Sequence, residues 1–113
     1  MNGPGSPMPT DGEFVMRVHR VRAEVVVAAC DADLLGRELP VGDRGRTVTV
    51  SPQFYGERRV SREELVWALA RATIANLLGD RVLRLAVEEG YIPPGGAGEL
   101  GGVPHAQIVS MAH

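Results

Sequence analysis

A run of six apolar residues, from position 25 to position 30, is the feature that most narrows the choice of fold. It opens with three valines, whose β-branched side chains favour strands, and its uniform apolarity is typical of a strand buried on both faces. Residues 14 to 22 come before it and alternate in side-chain character, which predicts a strand with one face toward water. Because only Ala23 and Glu24 separate the two segments, we expect a β-hairpin with its turn there.

The segment after this hairpin predicts a short turn, a loop and a third strand. Asp31 and Gly36 bracket one predicted helical turn, with Asp31 as an Asx cap and Gly36 as the terminator. Glycines and charged residues predict a loop over residues 42–45. Residues 47–50 alternate threonine and valine, which predicts a strand.

The clearest helix start is Ser61 followed three residues later by Glu64, the capping-box pattern. Apolar spacing predicts that this helix continues to about Leu78. Its opposite faces would then carry Leu65 and its neighbours on one side and Trp67 with Ile74 on the other. Either the helix is sandwiched between the sheet and another helix, or Trp67 and Ile74 form a dimer or partner-docking face.

Residues 80–90 predict a second helix, and residues 106–111 alternate like a final strand. Together the elements predict an α+β two-layer sandwich, in which a small mixed β-sheet carries two helices packed on one face. Prolines and glycines dominate residues 1–13, which we interpret as a flexible tail. Residues 14–112 form the predicted single domain, since a chain of 113 residues leaves no room for another.

Composition excludes several classes of protein. A lone cysteine, Cys30, excludes an intramolecular disulfide framework and a cysteine-based zinc site. The three histidines share no short ligand spacing, so we expect neither a metal nor a cofactor. Apolar runs are too short to cross a membrane and the first residues do not resemble a secretion signal, so we expect a soluble cytoplasmic protein.

Charge is uneven along the chain. The formal net charge is -2, yet residues 37–62 carry six arginines against three acids. Arginines in this region flank two aromatic residues, a combination that contacts phosphates and stacks bases. The residues concerned are Arg44, Arg46, Arg58, Arg59 and Arg62 with Phe54 and Tyr55. Two interpretations stay open, namely an RNA-binding surface and an ordinary solvated loop.

Two further groups carry candidate chemistry. Gly101 and Gly102 precede His105, so this loop is either an anion-binding nest or a turn that starts a strand. Cys30, His105 and Asn76 are the residue types of a cysteine nucleophile, its base and an orienting amide, with Asp31 as a further candidate. The alternative is that Cys30 is a buried thiol that acts as a small hydrophobe.

Five separated motifs carry a family resemblance: EVVVAACD at 24–31, LLG at 34–36, FYG at 54–56, ATIANLLG at 72–79 and GGVPHAQ at 101–107. They resemble an archaeal family known as domain of unknown function 424, over about residues 16 to 111. The resemblance implies a small α+β domain without an established activity and a loose association with translation genes. It places seven residues at recurrent positions, which are Cys30, Asp31, Asn76, Gly101, Gly102, His105 and Gln107. Ala23 departs from the pattern, where glycine is more usual.

These observations favour a non-enzymatic binding module whose partner is RNA or a ribonucleoprotein. Its expected contacts are Arg44, Arg46, Arg58 and Arg59 on phosphates, a stacking Tyr55 or Phe54, and an anion held by the loop of Gly101, Gly102, His105 and Gln107. The alternatives are a small enzyme with a centre at Cys30 and His105, and a homodimer that forms through the face of Trp67 and Ile74.

Overall fold

The computed structural model describes residues 13–109 and confirms an α+β fold built on a mixed sheet. Within that range the elements in chain order are β1 Phe14–Val21, β2 Glu24–Asp31, β3 Glu38–Val41, β4 Arg46–Thr49, α1 Pro52–Tyr55, β5 Arg59–Val60, α2 Arg62–Leu69, β6 Ile74–Leu78, α3 Asp80–Glu88, β7 Gly98–Leu100 and β8 Val103–Ile108. The main sheet has six strands in the order β5-β1-β2-β6-β8-β7, while β3 and β4 form a separate hairpin. Apart from Glu13, the predicted tail lies outside the described residues, as does the domain end at 112.

Strands β1 and β2 form the expected hairpin, paired from Phe14 with Asp31 to Val21 with Glu24. The turn is one residue earlier than predicted. It consists of Arg22 and Ala23, and Arg22 adopts the left-handed conformation with φ of 58°. A two-residue hairpin turn requires positive φ, which explains why Arg22 leaves the extended region.

The sheet is covered on both faces. Helices α2 and α3 pack on the face that carries Val27 and Ala29 of β2, which confirms two helices on one side. The opposite face, which carries Ala28 and Cys30, packs against α1 and the β3–β4 hairpin, mainly through Tyr55 and other apolar residues. This second cover explains why the apolar run of β2 is buried on both faces.

Helix α2 begins at the predicted capping box but ends much earlier than predicted. Ser61 and Glu64 cap each other's backbone, as expected. The helix stops at Leu69, and the chain then forms β6 parallel to β2. Thr73 fixes this change, because its Oγ1 accepts a hydrogen bond from the Val25 amide at 2.8 Å and its own amide donates to the Val25 carbonyl at 2.9 Å. The prediction of one helix to Leu78 is therefore wrong.

Smaller differences concern the loops. The predicted strand at 47–50 is β4, but it pairs only with β3, which was not predicted. The FYG motif at 54–56 forms the end of α1 and its C-terminal Gly56. The final strand occupies Val103–Ile108 rather than 106–111, and its predicted end at Met111 lies outside the described residues. No helix of residues 13–109 is long and apolar enough to cross a membrane.

Candidate functional site

The carboxyl ends of the parallel strands β2 and β6 meet at one edge, where Asp31 ends β2 and α3 begins just after β6. Asp31 is buried, and its two carboxylate oxygens accept hydrogen bonds from the backbone amides of Arg81 at 3.1 Å and Val82 at 2.9 Å. Asp31 therefore caps α3. The predicted Asx cap is wrong, because this carboxylate makes no hydrogen bond to the short turn at Ala32–Leu34 that follows it.

Burial also changes the acidity of this carboxyl group. Desolvation raises the pKa of Asp31 above its ordinary value, although the hydrogen bonds from Arg81 and Val82 and the charge of Arg81 act in the opposite direction. The group is therefore a structural acceptor for a helix end, held where water has little access.

A cavity of about 370 Å³ opens beside Asp31. We call it the strand-end cavity; it is lined by Asp31, Asp33, Leu34, Arg37, Asp80, Arg81, Arg84, Gly102, Val103 and Pro104. Arg81 forms ion pairs with Asp33 at 3.4 Å and with Glu13 at 3.6 Å. Arg37 and Arg84, by contrast, have no side-chain hydrogen bond or ion pair to any other residue of the range 13–109.

The candidate catalytic residues lie on one face of the sheet without forming a nucleophile and base pair. Cys30 pairs with Leu78, and Leu78 pairs with His105, so a leucine separates the thiol from the imidazole. Two strand spacings place the backbones about 9.6 Å apart. Burial raises the pKa of Cys30 to about 12 and lowers the pKa of His105. This arrangement supplies neither a thiolate nor a neighbouring base, and so disfavours the enzyme alternative.

Asn76 lies in β6, not in a helix, directly opposite Gln107 of β8. Their neighbours along β6 and β8 pack under the helices. Because successive residues of a strand point to opposite faces, both side chains lie on the face away from α2 and α3, together with Cys30 and His105. The structure thus brings Asn76 and Gln107 together as cross-strand neighbours. Asn76 is half-buried and Gln107 is exposed.

Gly101 and Gly102 form the two-residue turn between β7 and β8, with φ of 58° and 80°. Two successive left-handed residues are typical of a hairpin turn. Gly101 also packs closely on β3, where a Cβ atom would stand 2.7 Å from the Pro40 carbonyl oxygen. Gly102 borders the strand-end cavity and has open space where a side chain would be. An anion-binding role for this loop stays a prediction.

The arginines expected to form one patch are dispersed. Arg58 and Arg59 lie at the β5 edge of the sheet, and Arg58 forms an ion pair with Glu64. Arg44 and Arg46 lie at the tip of the β3–β4 hairpin, whose β3 strand contacts β7 at the opposite edge. The two groups of arginines therefore belong to different sheets.

The two aromatic residues of that predicted patch differ in exposure. Tyr55 is 7% exposed, and burial raises the pKa of its hydroxyl to about 12. Phe54 is 37% exposed, but its ring already stacks on His19 at 5.4 Å and meets Tyr55 edge-on at 4.8 Å. Phe54 is therefore the accessible ring of the pair, and one of its faces is occupied.

Trp67 is the most exposed large hydrophobic residue in the described range, at 61%. The guanidinium of Arg71 lies 3.8 Å from its ring centroid and donates a 2.9 Å hydrogen bond to the Trp67 carbonyl. Grooves of about 410 and 480 Å³ flank the indole. The predicted joint face with Ile74 is wrong, because Ile74 lies in β6 rather than on the helix of Trp67.

Sequence patterns did not reveal the strand-end cavity, because its lining comes from three segments that are distant along the chain. Arg37 and Arg84 carried no motif, and only the pairing of β2 with β6 brings their segments together. Within residues 13–109, no group of three or more histidine, cysteine, aspartate or glutamate side chains is arranged to hold a metal ion.

Comparison with known proteins settles the family. The sequence profile of a family described as "Protein of unknown function (DUF424)" matches residues 19–111. The chain belongs to the DUF424 family. This DUF424 chain is similar to the crystal structure of an uncharacterized conserved protein from Methanopyrus kandleri, with 30% identity and a TM-score of 0.74. That match covers 88% of this chain and 93% of the other. No curated protein has significant similarity to this DUF424 chain.

Proposed function

We propose that this protein is a non-enzymatic module that binds single-stranded RNA, free or within a ribonucleoprotein, through the surface around Trp67. The observation that carries the proposal is the exposed indole with a guanidinium stacked on it. Aromatic rings and arginine planes on a protein surface stack unpaired bases, and arginines beside them contact phosphates.

The groove of about 410 Å³ is the better suited of the two that flank Trp67. Its lining includes Arg20 and Arg71 and no acidic residue, with Val18 and Val25 as its apolar floor. The Arg20 side chain has no hydrogen bond or ion pair to the rest of residues 13–109, so its guanidinium is available to a phosphate. The other groove contains Glu63 and Glu64, which repel an RNA backbone.

The formal net charge of -2 does not oppose this proposal, because phosphate contacts depend on local arginines. Such a module would act in the cytoplasm. The link to the translation machinery rests on the family resemblance alone. Self-association through the Trp67 surface is the rival, since an exposed tryptophan also suits a protein interface.

The test measures binding of fluorescently labelled random single-stranded RNA oligomers by anisotropy at low salt. Loss of one stacking contact in Trp67→Ala removes about 1–3 kcal/mol, which weakens binding by about five- to 150-fold. Arg20→Gln reduces the slope of log affinity against log salt by about 0.7. Val109→Ala removes another exposed apolar side chain, and Arg44→Gln removes an arginine at the distant hairpin tip; both should bind like wild type.

Two outcomes contradict the proposal. One is absence of RNA binding by wild type at low salt, and the other is equal binding by wild type and Trp67→Ala. Light scattering tests the rival hypothesis of self-association. If the wild type has the mass of a dimer and Trp67→Ala has the mass of a monomer, the Trp67 surface binds a second copy of the chain.

A further inference from the structure

The strand-end cavity lies away from the Trp67 surface, at the other end of β2. The Trp67 surface is next to Val25, near the start of β2, whereas the cavity adjoins Asp31 at its end. Open α/β sheets generally place ligands at the carboxyl ends of parallel strands, because loops and helix starts form a crevice there. The cavity therefore lies where such sheets bind ligands, and it is separate from the Trp67 surface.

Its charges are not all satisfied internally. The Asp31 carboxylate is occupied by two backbone amides of α3, so that helix end is already capped and is not available to a ligand. Arg81 is occupied by Asp33 and Glu13. What is left within residues 13–109 is two unpaired guanidiniums, Arg37 and Arg84, together with the Asp80 carboxylate.

Two guanidiniums from different parts of the chain, facing one concave space, are suited to a dianion. Guanidinium groups donate paired hydrogen bonds to phosphate oxygens, and a phosphate monoester carries nearly two negative charges at neutral pH. Asp80 is an acceptor for hydroxyl groups. The volume of about 370 Å³ exceeds what inorganic phosphate fills and falls in the range of small-ligand pockets.

We propose that the strand-end cavity binds a phosphate monoester of a hydroxylated carbon skeleton, with Arg37 and Arg84 on the phosphate and Asp80 on a hydroxyl group. A sugar phosphate and a nucleoside monophosphate share this chemistry. Leu34 and Pro104 form an apolar wall of the cavity, against which the carbon skeleton packs.

The test is calorimetric titration of the full chain with ribose 5-phosphate, with ribose and adenosine monophosphate as parallel probes. Arg37→Gln and Arg84→Gln should each weaken ribose 5-phosphate binding about tenfold, as expected for one lost charged hydrogen-bonding group. Arg46→Gln, which removes an exposed arginine of the hairpin tip, is the matched control and should bind like wild type.

A second variant adds a side chain at the rim of the cavity and leaves the charge of the cavity unchanged. Gly102→Asn places a side chain at the cavity rim, and asparagine tolerates the positive φ of 80°. Gly45→Asn is its control, because Gly45 has φ of 72°, has open space where a Cβ atom would stand, and does not line the cavity. We expect weaker ribose 5-phosphate binding in Gly102→Asn only.

Tighter binding of adenosine monophosphate than of ribose 5-phosphate supports a nucleotide ligand, and equal binding supports a sugar phosphate. The proposal is overturned by absence of saturable ribose 5-phosphate binding, by equal binding of ribose, or by wild-type affinity in Arg37→Gln and Arg84→Gln. Trp67→Ala should leave this titration unchanged, so failure of the RNA proposal and failure of this one are distinguishable.

Discussion

The carboxylate of Asp31 fills the space that a side chain at Gly79 would need. A Cβ atom on Gly79 would stand 2.6 and 2.7 Å from the two carboxylate oxygens of Asp31, far inside van der Waals contact. Gly79 also has φ of 122° and ψ of 154°, a conformation essentially restricted to glycine. The missing side chain at residue 79 thus makes room for the carboxylate that caps α3.

The first prediction follows from this pair. Gly79→Ala should lower the free energy of unfolding by about 3 kcal/mol, because backbone strain adds to the collision with Asp31. Urea denaturation followed by circular dichroism measures the change. Gly90→Ala is the matched control, since Gly90 also has positive φ, at 83°, but no atom lies within 4 Å of its added Cβ. Gly90→Ala should show only the cost of backbone strain, so its free energy of unfolding should fall less than that of Gly79→Ala.

The double variant isolates the contact. Asp31→Ala should cost about 1–2 kcal/mol through the lost helix cap. Combined with Gly79→Ala, it should cost less than the sum of the single variants, because the collision disappears with the carboxylate. Strictly additive losses would show that Gly79 acts through backbone conformation alone.

Cys30 gives a prediction on chemical reactivity. Its side chain is fully buried, and burial raises the pKa of the thiol to about 12. A protonated, inaccessible thiol does not attack electrophiles. We expect no reaction of the native protein with a disulfide reagent at mildly alkaline pH and full reaction after denaturation. Rapid modification of the native protein would instead revive the enzyme alternative.

His105 gives a prediction on pH. Burial lowers its pKa in the folded protein below the ordinary 6.5, so the unfolded chain binds a proton more readily than the folded one. The free energy of unfolding should therefore fall as the pH falls below 6.5 toward the lowered folded-state value. Denaturation curves across this range should show a smaller fall in His105→Gln. A fall in His105→Gln equal to that of the wild type would contradict the prediction.

Local signals predicted part of the fold well, and long-range contacts decided the rest. Ser61 and Glu64 fixed the start of α2, because a capping box involves only residues within one turn. The end of that helix depended on Thr73 and its bonds to Val25, which is 48 positions away. The segment from 74 to 78, apolar except for Asn76, satisfies helical spacing as well as strand burial, so periodicity did not distinguish the two.

The candidate site was predicted less completely for the same reason. Asp31 was recognised as a capping residue, but its actual target is a helix that begins 49 residues later, because β2 and β6 lie side by side. The spread of basic residues along the sequence suggested one patch. In the structure Arg58 lies at the β5 edge of the main sheet and Arg44 in the loop of the separate β3–β4 hairpin, a separation that no spacing rule reveals.

The lateral strands of the main sheet, β5 and β7, are only two and three residues long. A long open strand recruits other chains by backbone pairing, which is the usual start of fibril growth. Because β5 pairs only with Phe14 and Val15, the stretch of β1 from Arg17 to Val21 has a strand partner on its inner side alone within residues 13–109. A chain that widened this sheet would therefore add beside β1, in line with β5, rather than along β5 itself.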